Sequence, residues 1–198
     1  MLTPAPSVPD ISLYQAHAHS GLRRLVGDDG PSPYWAFGWA GGTVLARYIL
    51  DHPQVVKGRR VFDLGTGSGI VAVAAMKAGA ASVMAVDVDP LAALAARLNA
   101  EANGVLFDIQ TTDYLDGAPP DCDVMTVGDV FFEAGLALRV TAFLTRCQAA
   151  GVEILVGDPG RKPLPLNNLE HVAGYDVPDF GQSGVVPAKV YRFRSAAS

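Results

Sequence analysis

Residues Arg60 to Pro90 read RVFDLGTGSGIVAVAAMKAGAASVMAVDVDP. An apolar run, Val61, Phe62 and Leu64, carries Asp63 and ends in the turn Gly65-Thr66-Gly67-Ser68-Gly69. A helical apolar pattern follows through Ala78 and stops at Gly79, where helices favour glycine. A second β-rich run, Val83 to Val88, finishes on Asp87 and Asp89. Strand, tight turn, helix and strand make a βαβ unit, and open α/β sheets take their ligands at the carboxyl ends of such strands. Glycine suits this turn because the backbone must bend sharply and admit a ligand with no Cβ in the way.

The spacing selects the ligand. A dinucleotide fingerprint G-x-G-x-x-G begun at Gly65 calls for a third glycine at position 70, and the residue there is Ile70. The chain has D-x-G-x-G-x-G instead, with an acid before the glycines and another closing the next strand. This pattern resembles the first motif of the class I S-adenosylmethionine-dependent methyltransferases. The resemblance implies that Asp63, Gly65, Thr66, Gly67, Ser68 and Gly69 pass the amino-acid half of the cofactor. It also implies that Asp87, with Val88 beside it, takes the ribose hydroxyls. The chemistry agrees, because a cofactor without phosphate needs no lysine in the loop and a carboxylate suits two vicinal hydroxyl donors. A structural glycine turn in another doubly wound protein is the bland alternative.

At 198 residues the chain is long enough for one domain with a well-buried core. Charged residues make up only 18% and apolar ones 49%, so it is globular rather than disordered. A net charge of −5 argues against nucleic acid, which asks for a basic face. It is compatible with a basic or lysine-bearing protein partner. Cys122 and Cys147 lack metal-ligand spacing and read as buried thiols in a reducing compartment. No membrane span or signal peptide is apparent, so the expected location is cytoplasmic. His17 and His19, two apart in a short helix expected within Leu13 to Val26, point to different faces and read as surface histidines, so no metal is expected. Residues Met1 to Asp10 read as a tail and Gly27 to Pro31 as a turn.

A second informative stretch is PYWAFGWAGG, residues 33 to 42, with four aromatics in six positions. Such density lines a pocket for a flat or cationic group, or caps the sheet as core. Thr43 to Asp51 then gives a helix ended by His52-Pro53. Here the resemblance narrows. P-x-W-A-x-x-W-x-G-G, L-A-R-Y-x-L-D-x-P, D-L-G-x-G-x-G, D-x-D-P, G-D-x-F-F and G-D-P-G-R together are similar to the electron-transfer-flavoprotein β-subunit lysine methyltransferases and their bacterial relatives. Those relatives are often labelled nicotinamide N-methyltransferase-like. The resemblance spans roughly Pro33 to Arg194.

Downstream, Pro90 to Ala102 reads as a helix whose Leu91, Leu94, Ala95 and Leu98 face the sheet. Leu106 to Thr111 reads as the third strand, and the family's pattern then places Asp113 and Tyr114 at the adenine ring. Asp123 to Val127 is the fourth strand, and the strand-end rule sets Gly128 and Asp129 beside the glycine loop. Phe131 and Phe132 are expected to wall the acceptor slot, with Trp39 contributing there and among the cofactor-binding residues. The family carries tyrosine where this chain has Phe132. Ala134 to Ala149 reads as a helix and Val152 to Val156 as the fifth strand. Arg161 is expected to steer an acidic partner or to pair locally with Asp158. His171 to Val177 and Val185 to Phe193 complete an antiparallel hairpin, joined by a loop from Asp179 to Gly184.

The expected fold is therefore α/β, a doubly wound, Rossmann-like sheet of seven mostly parallel strands with an antiparallel last strand. It forms one domain over 1–198, with an extension over 1–32 and a catalytic core over 33–198. The expected activity is N-methyl transfer from S-adenosylmethionine, releasing S-adenosylhomocysteine, to a lysine of the electron transfer flavoprotein β subunit. Alternatives are a nicotinamide-like amine or pyridine as acceptor and, ranked below it, a ribosomal-protein methyltransferase, an NAD-dependent oxidoreductase or a non-catalytic binding module.

Overall fold

The computed structural model describes residues 1–16, 20–22, 27, 33–180 and 184–194. Seven strands form the central sheet: β3 (Arg60–Leu64), β4 (Ser82–Asp87), β5 (Asp108–Thr111), β6 (Val124–Gly128), β7 (Glu153–Asp158), β8 (Leu169–Pro178) and β9 (Val185–Phe193). Their order is β5-β4-β3-β6-β7-β9-β8. The first five named in that order are parallel, while β9 runs antiparallel to both β7 and β8. The order reverses beside β3, so the crevice at that switch point opens above the carboxyl ends of β3 and β6.

Period-two alternation decides what each strand buries. Val61, Val83, Val124 and Leu155 point to one face, under α1 (Ala40–Asp51) and α2 (Ile70–Lys77). Phe62, Leu64, Met125, Val127, Ile154 and Val156 point to the other, under α4 (Ala134–Ala149), whose Phe143 and Leu144 are fully buried. Glu133 caps α4 by accepting from the backbone N–H groups of Gly135 and Leu136, both at 2.7 Å. Asp89 does the same for α3 (Pro90–Ala102), whose bounds match the sequence expectation, with Pro90 in the first helical position.

Three expectations are corrected. The first residues are not a tail: β1 (Leu2–Ala5) and β2 (Val8–Tyr14) pair antiparallel, and Val8, Ile11 and Leu13 join the core under α1 and α2. The hairpin is anchored on α3. Asn99 accepts from the Tyr14 N–H at 2.7 Å, and Asn103 both accepts from the Ser12 N–H at 2.9 Å and donates to the Ser12 carbonyl. Second, α3 does not present its leucines to the sheet. Leu94 and Leu98 are exposed, and the buried face is Ala92, Ala95, Ala96, Asn99 and Ala100. The close approach of the glycine turn explains the small residues, since a Cβ on Gly69 would lie 2.9 Å from that of Ala96. Third, β5 begins at Asp108, leaving Leu106 exposed in the preceding loop. Cys147 is buried and Cys122 only half-buried. The expectations on His17, His19 and most of the Gly27–Pro31 turn lie outside the described residues, as do 181–183 of the β8–β9 loop. Among the described residues no helix is long and apolar enough to cross a membrane.

Candidate active site

The glycine turn leaves β3 with Gly65, Gly67 and Gly69 all at positive φ. The Gly65 and Thr66 N–H groups donate to the Val86 carbonyl at 3.0 and 2.9 Å, pinning the turn to β4. A Cβ on Gly67 would meet nothing within 4 Å, so the turn is open on the side where a ligand would lie.

Asp63 works from below. It is 2% exposed, and its two oxygens accept from the hydroxyls of Thr66 and Thr126, each at 2.7 Å. Thr126 is its neighbour in the β3–β6 ladder. Burial pushes the Asp63 carboxyl up to about 6, against the downward pull of the two hydroxyls. The Asp63 carboxylate thus bonds the Thr66 and Thr126 hydroxyls beneath the turn and holds its shape. Ser68 is also buried, its carbonyl accepting from Asn99 at 2.7 Å.

Asp87 stands at the tip of β4. One oxygen accepts from the Gly67 N–H at 2.9 Å; the other accepts from the Asp89 N–H at 3.1 Å and the Tyr34 hydroxyl at 2.5 Å. Burial, then the bond to Asp87, raises the Tyr34 phenol above its ordinary range, so it stays a donor. Tyr34 is a functional candidate that sequence reasoning missed. Its only signal was membership of the aromatic cluster, and nothing local linked it to an acid 53 residues away. Val88 follows with its apolar side chain exposed next to Asp87.

Asp113 and Tyr114 sit just past β5. Asp113 is exposed and held below the usual carboxylate range, first by the Leu115 N–H and then by the Arg139 guanidinium at 3.0 Å. Tyr114 packs edge-on against Phe62 and donates to Gln110 at 2.7 Å.

The acceptor side is built where α1 meets the tips of β6 and β7. Asp129 adopts φ 57, uncommon outside glycine. Its N–H donates to the Gly157 carbonyl at 3.1 Å. One carboxylate oxygen accepts from the Gly42 N–H in the first turn of α1 at 2.8 Å; the other accepts from Arg161 Nη2 at 2.6 Å and Nε at 3.2 Å. The first-turn position also places the carboxylate at the positive end of the α1 dipole. Such proximity demands glycines: a Cβ on Gly41 would sit 2.6 Å from the Asp129 carboxylate, and one on Gly128 would be 3.0 Å from the Gly42 backbone. Burial pushes Asp129 up to about 6, with Arg161 and Gly42 opposing.

Two expectations fail here. Arg161 does not pair with the Asp158 carboxylate in a salt bridge; its backbone N–H donates to Asp158 at 2.6 Å while its guanidinium crosses to Asp129. Phe131 is not a slot wall, because it is fully buried among Phe62, Leu64 and Val127. Strand-exit geometry sends it inward and leaves Phe132 out, 65% exposed. Trp39 caps the start of α1, donates Nε1–H to the Tyr34 carbonyl at 2.8 Å, meets Phe180 edge-on, and lies under the Arg161 guanidinium at 5.6 Å.

This sheet order, a lysine-free glycine turn and acids at the ends of β4, β5 and β6 are those of a class I S-adenosylmethionine-dependent methyltransferase. The ribosomal protein L11 methylase from Lactobacillus delbrueckii subsp. bulgaricus has a similar fold, with a TM-score of 0.54 at 22% identity over 80% of this chain and 81% of that one. The family model for ribosomal protein L11 methyltransferase (PrmA) matches residues 35–127. The electron transfer flavoprotein beta subunit lysine methyltransferase of Rattus norvegicus is 39% identical over 170 residues, 81% of this chain and 67% of the relative. The Caenorhabditis elegans homolog is 30% identical over 95% of this chain and 86% of its own. The chain belongs to the electron transfer flavoprotein beta subunit lysine methyltransferase family.

Proposed function

We propose that this protein transfers a methyl group from S-adenosylmethionine to a lysine amine of an electron transfer flavoprotein beta subunit, the partner for which its relatives are named. The observation that supports the reading is that the glycine turn, Asp87 and Asp129 lie at the carboxyl ends of β3, β4 and β6, which are neighbours in the sheet, the first two joined by the Gly67–Asp87 hydrogen bond. The residues fit the cofactor. Gly67 leaves the cradle a side chain would fill, Asp87 offers acceptors to vicinal hydroxyls once Tyr34 yields or rearranges, and exposed Val88 offers a face for adenine. Asp113 is the candidate partner for the adenine amino group.

The bound cofactor supplies an already activated methyl group. The chain's own task is then to position the amine and exclude water. Asp129, fixed by Gly42 and Arg161, presents a rigid acceptor at the crevice, able to orient an amine N–H without itself moving. Trp39 and Phe132 offer apolar surface for the lysine stem, and desolvation beside them favours the neutral amine, since a free lysine has a pKa of roughly 10.4. The Asp63–Thr66–Thr126 cluster keeps the turn in shape from beneath.

The test offers two acceptors. Purified protein is incubated with methyl-labelled S-adenosylmethionine and either electron transfer flavoprotein or nicotinamide. Label on a lysine of the beta subunit is expected. Label in methylnicotinamide alone would replace the protein acceptor by a small molecule, and label in neither would remove both.

A further inference from the structure

We propose that Arg161 is a positioning residue that keeps Asp129 electrically compensated, so that the acceptor amine is held uncharged with its lone pair free to attack. The inference rests on the methyl-transfer reading above and adds a residue to it.

A carboxylate at the acceptor site creates a conflict. It attracts an incoming ammonium, yet an ammonium has no lone pair, and an uncompensated neighbouring anion resists loss of the proton. The fold carries a built answer. Arg161 leaves the tip of β7 with its backbone N–H tied to Asp158 at 2.6 Å, and its guanidinium spans to the tip of β6, meeting one Asp129 oxygen through both Nη2 and Nε. The guanidinium is further held over the Trp39 ring at 5.6 Å. The two side chains are 22% and 12% exposed, so solvent screens the pair weakly and the compensation is felt at the crevice. The other Asp129 oxygen accepts from the Gly42 N–H, which leaves one lone pair for an amine N–H and no open fork for an ammonium.

The charged surroundings make Arg161 necessary. Around it stand Asp129 from β6, Asp158 from β7 and Asp179 after β8, the last accepting from the Ala40 N–H at the start of α1. From β9, Lys189 pairs across from Asp158 and is exposed, while the Tyr191 phenol is raised first by burial and then by Asp158. Asp158 is fully buried, and its second oxygen has no hydrogen-bond partner among the described residues. Arg161 therefore faces three acids rather than one, and its removal would leave the acceptor site without that compensating cation.

In the transfer the lysine ammonium first gives its proton to water. The nitrogen lone pair then forms the N–C bond as the C–S bonding pair withdraws to sulfur, so the positive charge passes from sulfur to nitrogen and the spent cofactor becomes a neutral thioether. The methylammonium product meets a compensated site and is not trapped by it.

The pH dependence of kcat for electron transfer flavoprotein methylation, which reports groups in the enzyme–substrate complex, is read by mass spectrometry of the modified lysine and tests this with wild type, Arg161→Gln and Arg161→Lys. The acid limb of Arg161→Gln is expected to move to higher pH by about one unit, the size of one charge a few ångströms away in a part-buried site. Arg161→Lys is expected to keep the wild-type limb. S-adenosylhomocysteine affinity reports folding, and Arg161→Met, which keeps a stem over Trp39, repeats the arm where the glutamine variant folds poorly. An unshifted limb in the uncharged variants, or an equal shift in Arg161→Lys, overturns the inference alone. Wild-type protein that binds cofactor but modifies no lysine overturns the functional reading and this inference with it.

Discussion

Asparagine in place of Asp63 isolates the cost of an ionised group beneath the glycine turn. In the folded protein burial holds this carboxyl at about 6, against 3.8 for an ordinary aspartate. A rise of about two pH units, at about 1.4 kcal/mol for each, amounts to about 3 kcal/mol. The folded-state pKa is raised, so the folded protein binds the proton more tightly than the unfolded chain. The resulting stabilisation is full below about pH 4 and is lost as pH climbs through about 6. Asp63→Asn does not titrate. Asp129, also raised to about 6, titrates in both proteins and cancels in the difference. The stability of the variant relative to wild type is therefore expected to improve by about 3 kcal/mol between about pH 4 and pH 8. The two threonine hydroxyls, facing one carbonyl oxygen and one amide instead of two acceptors, add an offset independent of pH. Urea unfolding followed by circular dichroism across that range measures the difference. A difference flat in pH, or one that falls as pH rises, would show that Asp63 is not held protonated by its burial.

Three further substitutions probe other parts of the site and its supports. Asp87→Ala is expected to weaken S-adenosylhomocysteine binding by roughly 1.5–3 kcal/mol in calorimetry, the worth of a hydrogen bond to a charged group; unchanged affinity would mean the ribose is held elsewhere. Gly41→Ala sets a methyl against the Asp129 carboxylate and the Gly157 carbonyl, and the overpacking is expected to cost about 1–3 kcal/mol, visible as a lower melting temperature. An unaltered melting temperature would show that α1 can retreat freely from the strand tips. Asn99→Ala strips partners from the Tyr14 N–H and the Ser68 carbonyl, and faster amide exchange in β1–β2 is expected; unchanged protection there would sink the anchoring role.

What could be read from the chain alone was whatever local pattern dictates. The βαβ unit, the capped helices over 90–102 and 134–149, and the final hairpin all announce themselves through periodicity and capping residues within a few positions. The amino-terminal hairpin does not, because Pro4, Pro6 and Pro9 obscure the alternation and its anchors, Asn99 and Asn103, lie some ninety residues away. The burial of α3 was misjudged for a related reason. Its leucines carry the apolar signal, but the close approach of Gly69 to Ala96 calls for a small side chain on the face that packs. At the site, Asp87 and Asp129 followed from the strand-end rule. Their partners did not: Tyr34 to Asp87, Thr126 to Asp63 and Arg161 to Asp129 are separated by 53, 63 and 32 residues, and only the strand order brings them together. Phe131 and Phe132 show the same limit, since adjacent aromatics at a strand exit point to opposite environments and sequence does not say which faces in.

The proposed function requires the turn from Gly65 to Gly69 and the acids at the tips of β4 and β6 to hold a sulfonium nucleoside jointly, with its methyl group toward Asp129. A crystal structure of the complex with S-adenosylhomocysteine observes that arrangement without any intermediate step. The expected result is a ribose on Asp87, the amino-acid portion along Gly65 to Gly69, and the sulfur turned toward the Asp129–Arg161 pair. A ligand bound away from Gly67 and Asp87, or a sulfur facing away from Asp129, would overturn it.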